Sequence, residues 1–429
     1  MKNIVKKLIK NRLMYIVLLF LIIFLPSAIY LPAESDRRLV VSTVGLDKTE
    51  DEIEVSLLIA IPKSGGNIGN NFQLLSEKGK TLSEALTKIG LKTGKSVSFA
   101  HCELITVSDK ILEENLATYL DFFIRTNNLT SNADIINAKN SKELLQANIY
   151  MSKEYSQTIK NVLSNNKKTA DAETNNVDSF FKNYFEKSNC FTIPFVNVST
   201  PSKNTESSNG GSSGESNNGS SNTQDETSSS GSGGNSESGG EQGSNSDKII
   251  TYDGSISVLK NGVKVDQIDN PENLGLQSIN AQVKNNIFQI KNDYDNSIKD
   301  ATVSIEVLDK KVKKSIQFIN NTPYITFDIY MFIKLDEIFT KEFEKKNLDT
   351  VFTLLKGKTL DKIEETINDS LSKTIEISKS KKVDIFDVVK DVYAYHQSDY
   401  KNFINENNTD EDLIAKAIYI TNYDFSVRN

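Results

Sequence analysis

The hydrophobic pattern first separates an N-terminal segment from the rest of the chain. Leu13 to Leu31 contains no charged residue, and the twelve residues before it contain five Lys or Arg residues and no acidic residue. An apolar run of about 19 residues forms a helix of roughly 28 Å, close to the thickness of a bilayer's hydrocarbon core. The positive charge predicts that residues 1–12 are a cytoplasmic basic tail. Residues 13–31 are therefore predicted to be a transmembrane signal anchor in contact with the lipid bilayer, with the bulk of the chain extracytoplasmic.

Two other export signals compete with this interpretation. A cleaved signal peptide requires small residues before the cut, and Ser27-Ala28 and Pro32-Ala33 match that requirement poorly. A lipoprotein signal requires a cysteine directly after the apolar run, whereas the first cysteine of this chain is Cys102. Each alternative still predicts that most of the chain is exported.

A second boundary lies at residues 199–247, which are almost entirely Ser, Gly, Asn, Thr, Glu and Gln. Such a composition buries little apolar surface, so we expect a disordered linker. A disordered linker at this position divides the rest of the chain into two predicted folded parts. They are an N-terminal α/β domain at 36–198 and a C-terminal α+β domain at 248–429. A flexible linker of this length would not fix their relative placement.

The N-terminal part contains both the two-residue period of strands and the longer period of helices. Thr81 and Glu84 have the spacing of a capping box, which marks the start of a helix. The predicted elements are strands at 39–46, 53–61 and 99–107, a helix from Thr81 toward Ile89, and a helix at 112–124.

The C-terminal part contains a strong hairpin signal, Asn261-Gly262, between alternating apolar residues. Apolar residues spaced by three or four predict a long amphipathic helix at 360–380, with Thr359 as its N-cap. Further predictions are strands at 302–308, 314–319, 324–334 and 417–427 and a helix at 383–393. The predicted fold class is α+β, a multi-domain mixed α/β ectodomain with antiparallel and mixed sheets packed by helices, after one transmembrane helix.

Composition removes several classes of function. The net charge of −7 is unfavourable for binding nucleic acid, and no nucleic-acid partner is expected. The two cysteines, Cys102 and Cys190, are too few for a disulfide framework or a zinc cage. His101 and His396 lie in different parts of the chain, and neither has a second ligand at metal-binding spacing.

Short motifs with catalytic associations also have simpler explanations. Gly79-Lys80-Thr81 and Gly357-Lys358-Thr359 lack the earlier glycine that a phosphate-binding loop requires, and each precedes a predicted helix. Lys92-Thr93-Gly94 and Ser370–Lys373 occur in the reverse of their order in penicillin-binding enzymes. We therefore predict no catalytic, cofactor-binding or metal-binding residue, no cofactor, and no enzymatic activity.

The order of several short motifs resembles the Ger(x)C family, the C subunits of spore germinant receptors. The motif residues include an Asp-Arg-Arg near the membrane, Gly-Lys-Thr before a helix, an aromatic residue before a histidine, and Asp-Ile-Phe late in the chain. They are Asp36, Arg37, Arg38, Gly79, Lys80, Thr81, Phe99, His101, Asp121, Arg125, Asp384, Ile385 and Phe386.

This resemblance implies a non-catalytic subunit that acts in spore germination beside multi-span subunits of the A and B types, at the spore inner membrane. Family members usually carry a lipoprotein cysteine before the Asp-Arg-Arg motif, and here a predicted helix replaces it. An anchored envelope scaffold without a germination role remains an alternative, with an exported hydrolase as a third.

Overall fold

The computed structural model describes a defined set of residues: 20, 38–61, 71–126, 129–147, 159, 175–199, 248–270, 272–280, 286–291, 301–339, 357–407 and 409–427. The predicted tail at 1–12, the predicted anchor apart from Phe20, and linker residues 200–247 lie outside this set. Among the described residues, no helix combines the length and apolar character needed to cross a membrane.

Strands and helices alternate along the N-terminal part. The strands are β1 (Arg38–Thr49), β2 (Glu52–Ile61), β3 (Asn71–Gly79), β4 (Ser96–Ser98), β5 (Leu104–Ser108), β6 (Asp134–Ala138), β7 (Asn175–Asn176) and β8 (Cys190–Ser199). The helices are α1 (Leu82–Thr93), α2 (Asp109–Leu112), α3 (Leu116–Thr126), α4 (Ser141–Gln146) and α5 (Val177–Phe185).

Long strands and one long helix dominate the C-terminal part. The strands are β9 (Ile249–Thr251), β10 (Ile256–Lys260), β11 (Val263–Ile268), β12 (Asn286–Lys291), β13 (Thr302–Ile319), β14 (Thr322–Phe339) and β15 (Ile418–Val427). The helices are α6 (Glu272–Ile279), α7 (Lys358–Lys381), α8 (Val388–Tyr395), α9 (Gln397–Asn407) and α10 (Glu411–Lys416).

The larger of the two sheets has the strand order β11-β10-β8-β6-β5-β1-β2-β3. Its centre is parallel, because β1, β5, β6 and β8 run in one direction, and its outer strands are antiparallel. Helices α1, α3 and α5 cover one face, where Phe123 and Phe180 are fully buried. Helix α4 covers the other face through Leu144 and Leu145. This arrangement confirms a mixed α+β class.

The smaller sheet has the order β12-β13-β14-β15, with β15 parallel to β14. Asn320 and Asn321 form the β13–β14 turn, and both have positive φ angles. Helix α7 packs against this sheet through Ile363, Ile367 and Leu371, which lie in one apolar cluster with its strands. The predicted long amphipathic helix and the predicted last strand are therefore present.

A β-bulge at Leu308 reverses the alternation of β13. Val303, Ile305 and Val307 are buried before the bulge, whereas Lys310 and Ile316 are the buried positions after it. An extra residue in one strand shifts every following side chain to the opposite face. Because of this reversal, the sequence pattern predicts two separate strands at 302–308 and 314–319, whereas the structure has one continuous strand.

The prediction that the linker leaves the two parts without fixed placement is wrong. Strand β10, which follows the linker, forms an antiparallel ladder with β8, which precedes it. Ser199 is also the cross-strand partner of Ile249 in the β8–β9 pair. The two ends of the linker are therefore neighbours in the larger sheet.

Replacing residues 200–247 with a short Gly-containing turn should preserve the fold. The ends to be joined already face each other across β8 and β9, and a shorter loop costs less closure entropy, by about 2 kcal/mol for this change in length. Chemical denaturation should show an equal or higher free energy of unfolding than for the full chain. A variant that fails to fold would contradict this topology.

Several element boundaries differ from their predictions. The predicted strand at 99–107 begins at Leu104, because a turn closed by the Cys102 amide donating to the Phe99 carbonyl (2.9 Å) precedes it. Thr359 is buried inside α7, and Gly357 is the N-cap, with a φ angle of 56° that suits glycine. The helix predicted at 383–393 begins at Val388, after a turn.

Candidate functional site: the junction cleft

The Gly79-Lys80-Thr81 motif forms the entry to α1. The Thr81 hydroxyl accepts a hydrogen bond from the Glu84 amide (3.2 Å), and a Glu84 carboxylate oxygen accepts one from the Lys80 amide (2.9 Å). A Cβ atom at Gly79 would lie 2.7 Å from the Ala85 amide nitrogen. The motif residues therefore provide hydrogen-bond partners for backbone amides at the N-terminus of α1, as the sequence pattern predicts.

The other N-terminal motif residues do not converge on one site. Phe99 is buried and packs edge-to-face against Phe123, with ring centroids 5.1 Å apart. His101 is exposed in the turn before β5, so the prediction that the strand at 99–107 includes it is wrong. Asp121 and Arg125 form an ion pair on α3 (2.7 Å).

The Asp-Arg-Arg motif lies at the boundary of the described structure. Arg38 is the exposed first residue of β1, whereas Asp36 and Arg37 lie outside the described residues.

The Asp384-Ile385-Phe386 motif forms the turn between α7 and α8. One Asp384 carboxylate oxygen accepts a hydrogen bond from the Val388 amide (2.6 Å), and the other accepts one from the Val389 amide (2.9 Å). The side chain thus caps α8 at its N-terminus. Phe386 is buried against Phe327 and Tyr419, at ring-centroid distances of 6.2 Å and 5.1 Å.

This motif lines a cavity of about 360 Å³ between the larger and the smaller sheet, which we name the junction cleft. Its wall contains side chains from both parts of the chain. The N-terminal part contributes Asn175, Asn183, Cys190, Phe191 and Thr192, and the C-terminal part contributes Leu276, Ile279, Asn280, Val312, Lys314, Phe327 and Asp384–Asp387. Of the motif residues named from the sequence, Asp384, Ile385 and Phe386 line this cavity.

The charges at the junction cleft are held by local partners. The Lys314 ammonium donates to the Phe386 carbonyl (2.8 Å) and pairs with the Asp391 carboxylate (2.6 Å). Burial, with added repulsion from the Asp387 carboxylate, raises the pKa of Asp384 to about 7. Burial also raises the pKa of the Cys190 thiol, so this cysteine is protonated and unreactive at neutral pH.

Ion pairs and apolar packing join the two parts around the cleft. Lys390 of α8 lies 2.9 Å from a Glu186 carboxylate oxygen, and the Lys187 ammonium lies 3.7 Å from an Asp410 carboxylate oxygen. Cys190 of the N-terminal part also belongs to the apolar cluster formed by the smaller sheet and the helices packed against it. The cleft is therefore a packed junction whose two walls are directly connected.

The described residues contain no group of three His, Cys, Asp or Glu side chains that could hold a metal ion. His396 ends α8, with its Nδ1 atom 3.7 Å from an Asp399 carboxylate oxygen. Exposed His101 belongs to the turn before β5 in the other part of the molecule. Within the described region, the geometry supports packing and capping roles for the motif residues.

Sequence reasoning missed Cys190 and Lys314 as residues of the junction cleft. Lys314 follows the bulge in β13, and the alternation of the sequence gives no sign of that bulge. Cys190 begins β8, which reaches the cleft because of pairing across the linker. Neither position carries a local signal, since both depend on contacts between residues distant in the chain.

At pH 4, replacing Asp384 with alanine should lower the free energy of unfolding by about 2 kcal/mol, because the Val388 and Val389 amides would lose their acceptor. A raised pKa means that the folded state holds the proton more tightly than the unfolded chain does. The wild-type stability contribution of this group should therefore fall as pH rises from about 4 to about 7, and D384A should lack that dependence.

Urea denaturation of D384A at several pH values would measure both effects. Replacement of the exposed Asp369, in the middle of α7, is the matched control and should change stability by less than about 0.5 kcal/mol. Equal effects of D384A and D369A would contradict the capping role.

Comparison with known proteins identifies the family. The family described as the spore germination protein N-terminal domain matches residues 32–198, and the family described as spore germination B3/GerAC-like, C-terminal, matches residues 254–429. Together, the two matches cover most of the chain on both sides of the linker.

Individual relatives give more limited matches. Spore germination protein KC of Bacillus subtilis (strain 168) is 29% identical over 139 residues, which cover 29% of this chain and only 34% of that relative. The crystal structure of the GerBC protein resembles the chain with a TM-score of 0.48 and 12% identity, covering 90% of this chain and 97% of that one. From the two family matches, the chain belongs to the Ger(x)C family of spore germination proteins.

Proposed function

We propose that this chain is the membrane-anchored, non-catalytic subunit of a spore nutrient germinant receptor. The observation that carries the proposal is the pair of family matches, in order, at residues 32–198 and 254–429. Family membership implies a receptor complex with other subunits. In this proposal, the partners are multi-span membrane subunits of the A and B types.

The proposed anchor is the apolar segment at residues 13–31, preceded by a basic tail. A spanning helix holds a protein to a membrane far more firmly than a single acyl chain does. The helix would thus replace the lipid anchor of lipoprotein members of the family. The N-terminus would be cytoplasmic and the bulk of the chain extracytoplasmic, at the spore inner membrane.

The described motif side chains have structural roles, and this supports a non-catalytic function. Thr81 and Asp384 cap helices, while Phe99 and Phe386 pack in apolar cores. These functions stabilise a scaffold and leave the outer surfaces available for contact with other subunits. In this proposal, the connected walls of the junction cleft transmit a conformational change between the N-terminal and the C-terminal part of the chain.

Copurification from spore membranes tests the proposed assembly. After crosslinking and solubilisation, the tagged full chain should retain multi-span membrane subunits encoded beside it. A variant in which a cleavable signal peptide replaces residues 1–31 should be exported and released from the membrane fraction. Recovery of the full chain without any multi-span partner would contradict the receptor proposal and favour an envelope scaffold.

A further inference from the structure

An apolar groove lies between α1 and α3, beside strand β4. It has a volume of about 440 Å³, and Leu86, Leu91, Val97 and Phe122 form its apolar lining. Leu91 is 80% exposed, although it is a large apolar residue. We name this surface the α1 groove.

One lysine lies among the polar residues that line the α1 groove. Its other lining residues are Ser83, Thr87, Gly90, Lys95 and Ser96. Among these described lining residues, Lys95 is the charged side chain, and no carboxylate is present. An exposed apolar surface beside a lysine is the combination that favours binding to a bilayer surface with anionic headgroups.

The position of the α1 groove relative to the predicted anchor also favours the membrane. Strand β4 pairs in parallel with the start of β1, so that Arg38 faces Ser96 and Leu39 faces Val97. The chain before Arg38 therefore enters the fold beside Lys95. Between Leu31 and Arg38, the chain can span at most roughly 25 Å, even when fully extended.

We infer that the α1 groove rests on the extracytoplasmic bilayer surface. Leu91 enters the boundary between headgroups and acyl chains, and the Lys95 ammonium lies among the lipid phosphates. This contact orients the larger sheet relative to the membrane. The inference rests on the proposed anchor at residues 13–31.

A single tryptophan can test this contact, because the chain contains no natural tryptophan. The full chain carrying Leu91→Trp would be reconstituted into vesicles of phosphatidylglycerol and phosphatidylcholine, with and without brominated acyl chains. We expect a blue-shifted emission and at least about twofold quenching by the brominated lipid. Tyr395→Trp is the matched control, because Tyr395 is also 80% exposed but lies on α8 of the C-terminal part.

Two further arms separate the charge contribution from the apolar one. Quenching of Leu91→Trp should weaken in vesicles of phosphatidylcholine alone. Adding Lys95→Gln to the reporter should weaken quenching in the anionic vesicles. A loss of quenching in either arm would support contact between Lys95 and lipid phosphates, and unchanged quenching in both would overturn that part of the inference.

Equal quenching of the two reporters, in protein that stays with the vesicles after an alkaline carbonate wash, would overturn the membrane contact but not the anchor. Release of the protein by that wash would overturn the anchor and the contact together. Shielding of Leu91→Trp only when multi-span subunits are present would identify the α1 groove as a protein interface and overturn the membrane contact.

Discussion

Replacing Gly275 with alanine is expected to lower the free energy of unfolding by about 3 kcal/mol. A Cβ atom at this position would collide with the Leu371 amide nitrogen and lie 2.6 Å from the Leu371 Cα atom. Both atoms belong to the backbone of α7, so no side-chain rotation can relieve the contact. The Gly275 amide also donates to the Ser370 hydroxyl (2.7 Å), which fixes α6 tightly against α7.

The matched control for this prediction is Gly90→Ala in α1. A Cβ atom at Gly90 would meet only the Lys95 carbonyl oxygen, at 3.4 Å. Alanine has the higher helix propensity, so G90A should be neutral or stabilising by up to about 1 kcal/mol. Urea denaturation of both variants provides the comparison. Similar stabilities of G275A and G90A would show that α6 and α7 are not packed this closely.

Replacing Lys310 with methionine is expected to stabilise the protein, by about 3 kcal/mol below pH 7. Lys310 is 8% exposed, and burial lowers its pKa to about 7. Its ammonium group donates to the Gln277 carbonyl (2.5 Å), which also accepts from the Asn280 amide (3.3 Å). Methionine would remove the buried charge and leave that carbonyl with a partner.

The effect of K310M should depend on pH in a defined direction. Between pH 7 and about 10, the unfolded chain binds a proton at Lys310 that the folded state releases, so wild-type stability from this group rises with pH. The advantage of K310M should therefore shrink toward zero near pH 10. Lys311 is exposed on the opposite face of β13, and K311M should leave stability unchanged. A destabilised K310M at pH 6 would contradict the buried position of this lysine.

Local sequence signals predicted many of the elements of this fold. Asn261 and Gly262 have positive φ angles in the β10–β11 turn, as the hairpin signal requires. Thr81 and Glu84 begin α1, and the apolar spacing around Ile367 produces α7. In each case, the decisive interactions join residues that are close in the chain.

The features that the sequence did not reveal depend on distant contacts. Pairing of β8 with β10 places the linker ends side by side, and composition carries no information on such pairing. The bulge at Leu308 turns Lys310 inward against the usual preference of lysine for solvent.

The junction cleft was predictable only in part. Asp384 and Phe386 were singled out through the family resemblance, whereas Cys190 and Lys314 reach the cleft through tertiary pairing. The resemblance therefore identified the turn at Asp384–Phe386, and tertiary pairing brings Cys190 and Lys314 beside it.

Germination of spores that lack this chain tests the proposed receptor function most directly. Nutrient-triggered germination would be followed by the loss of optical density, in wild-type spores, in the deletion strain, and in the deletion strain complemented with the full chain. We predict that the deletion abolishes the response to at least one nutrient and that complementation restores it. Normal germination of the deletion spores with every nutrient tested would contradict the proposed function.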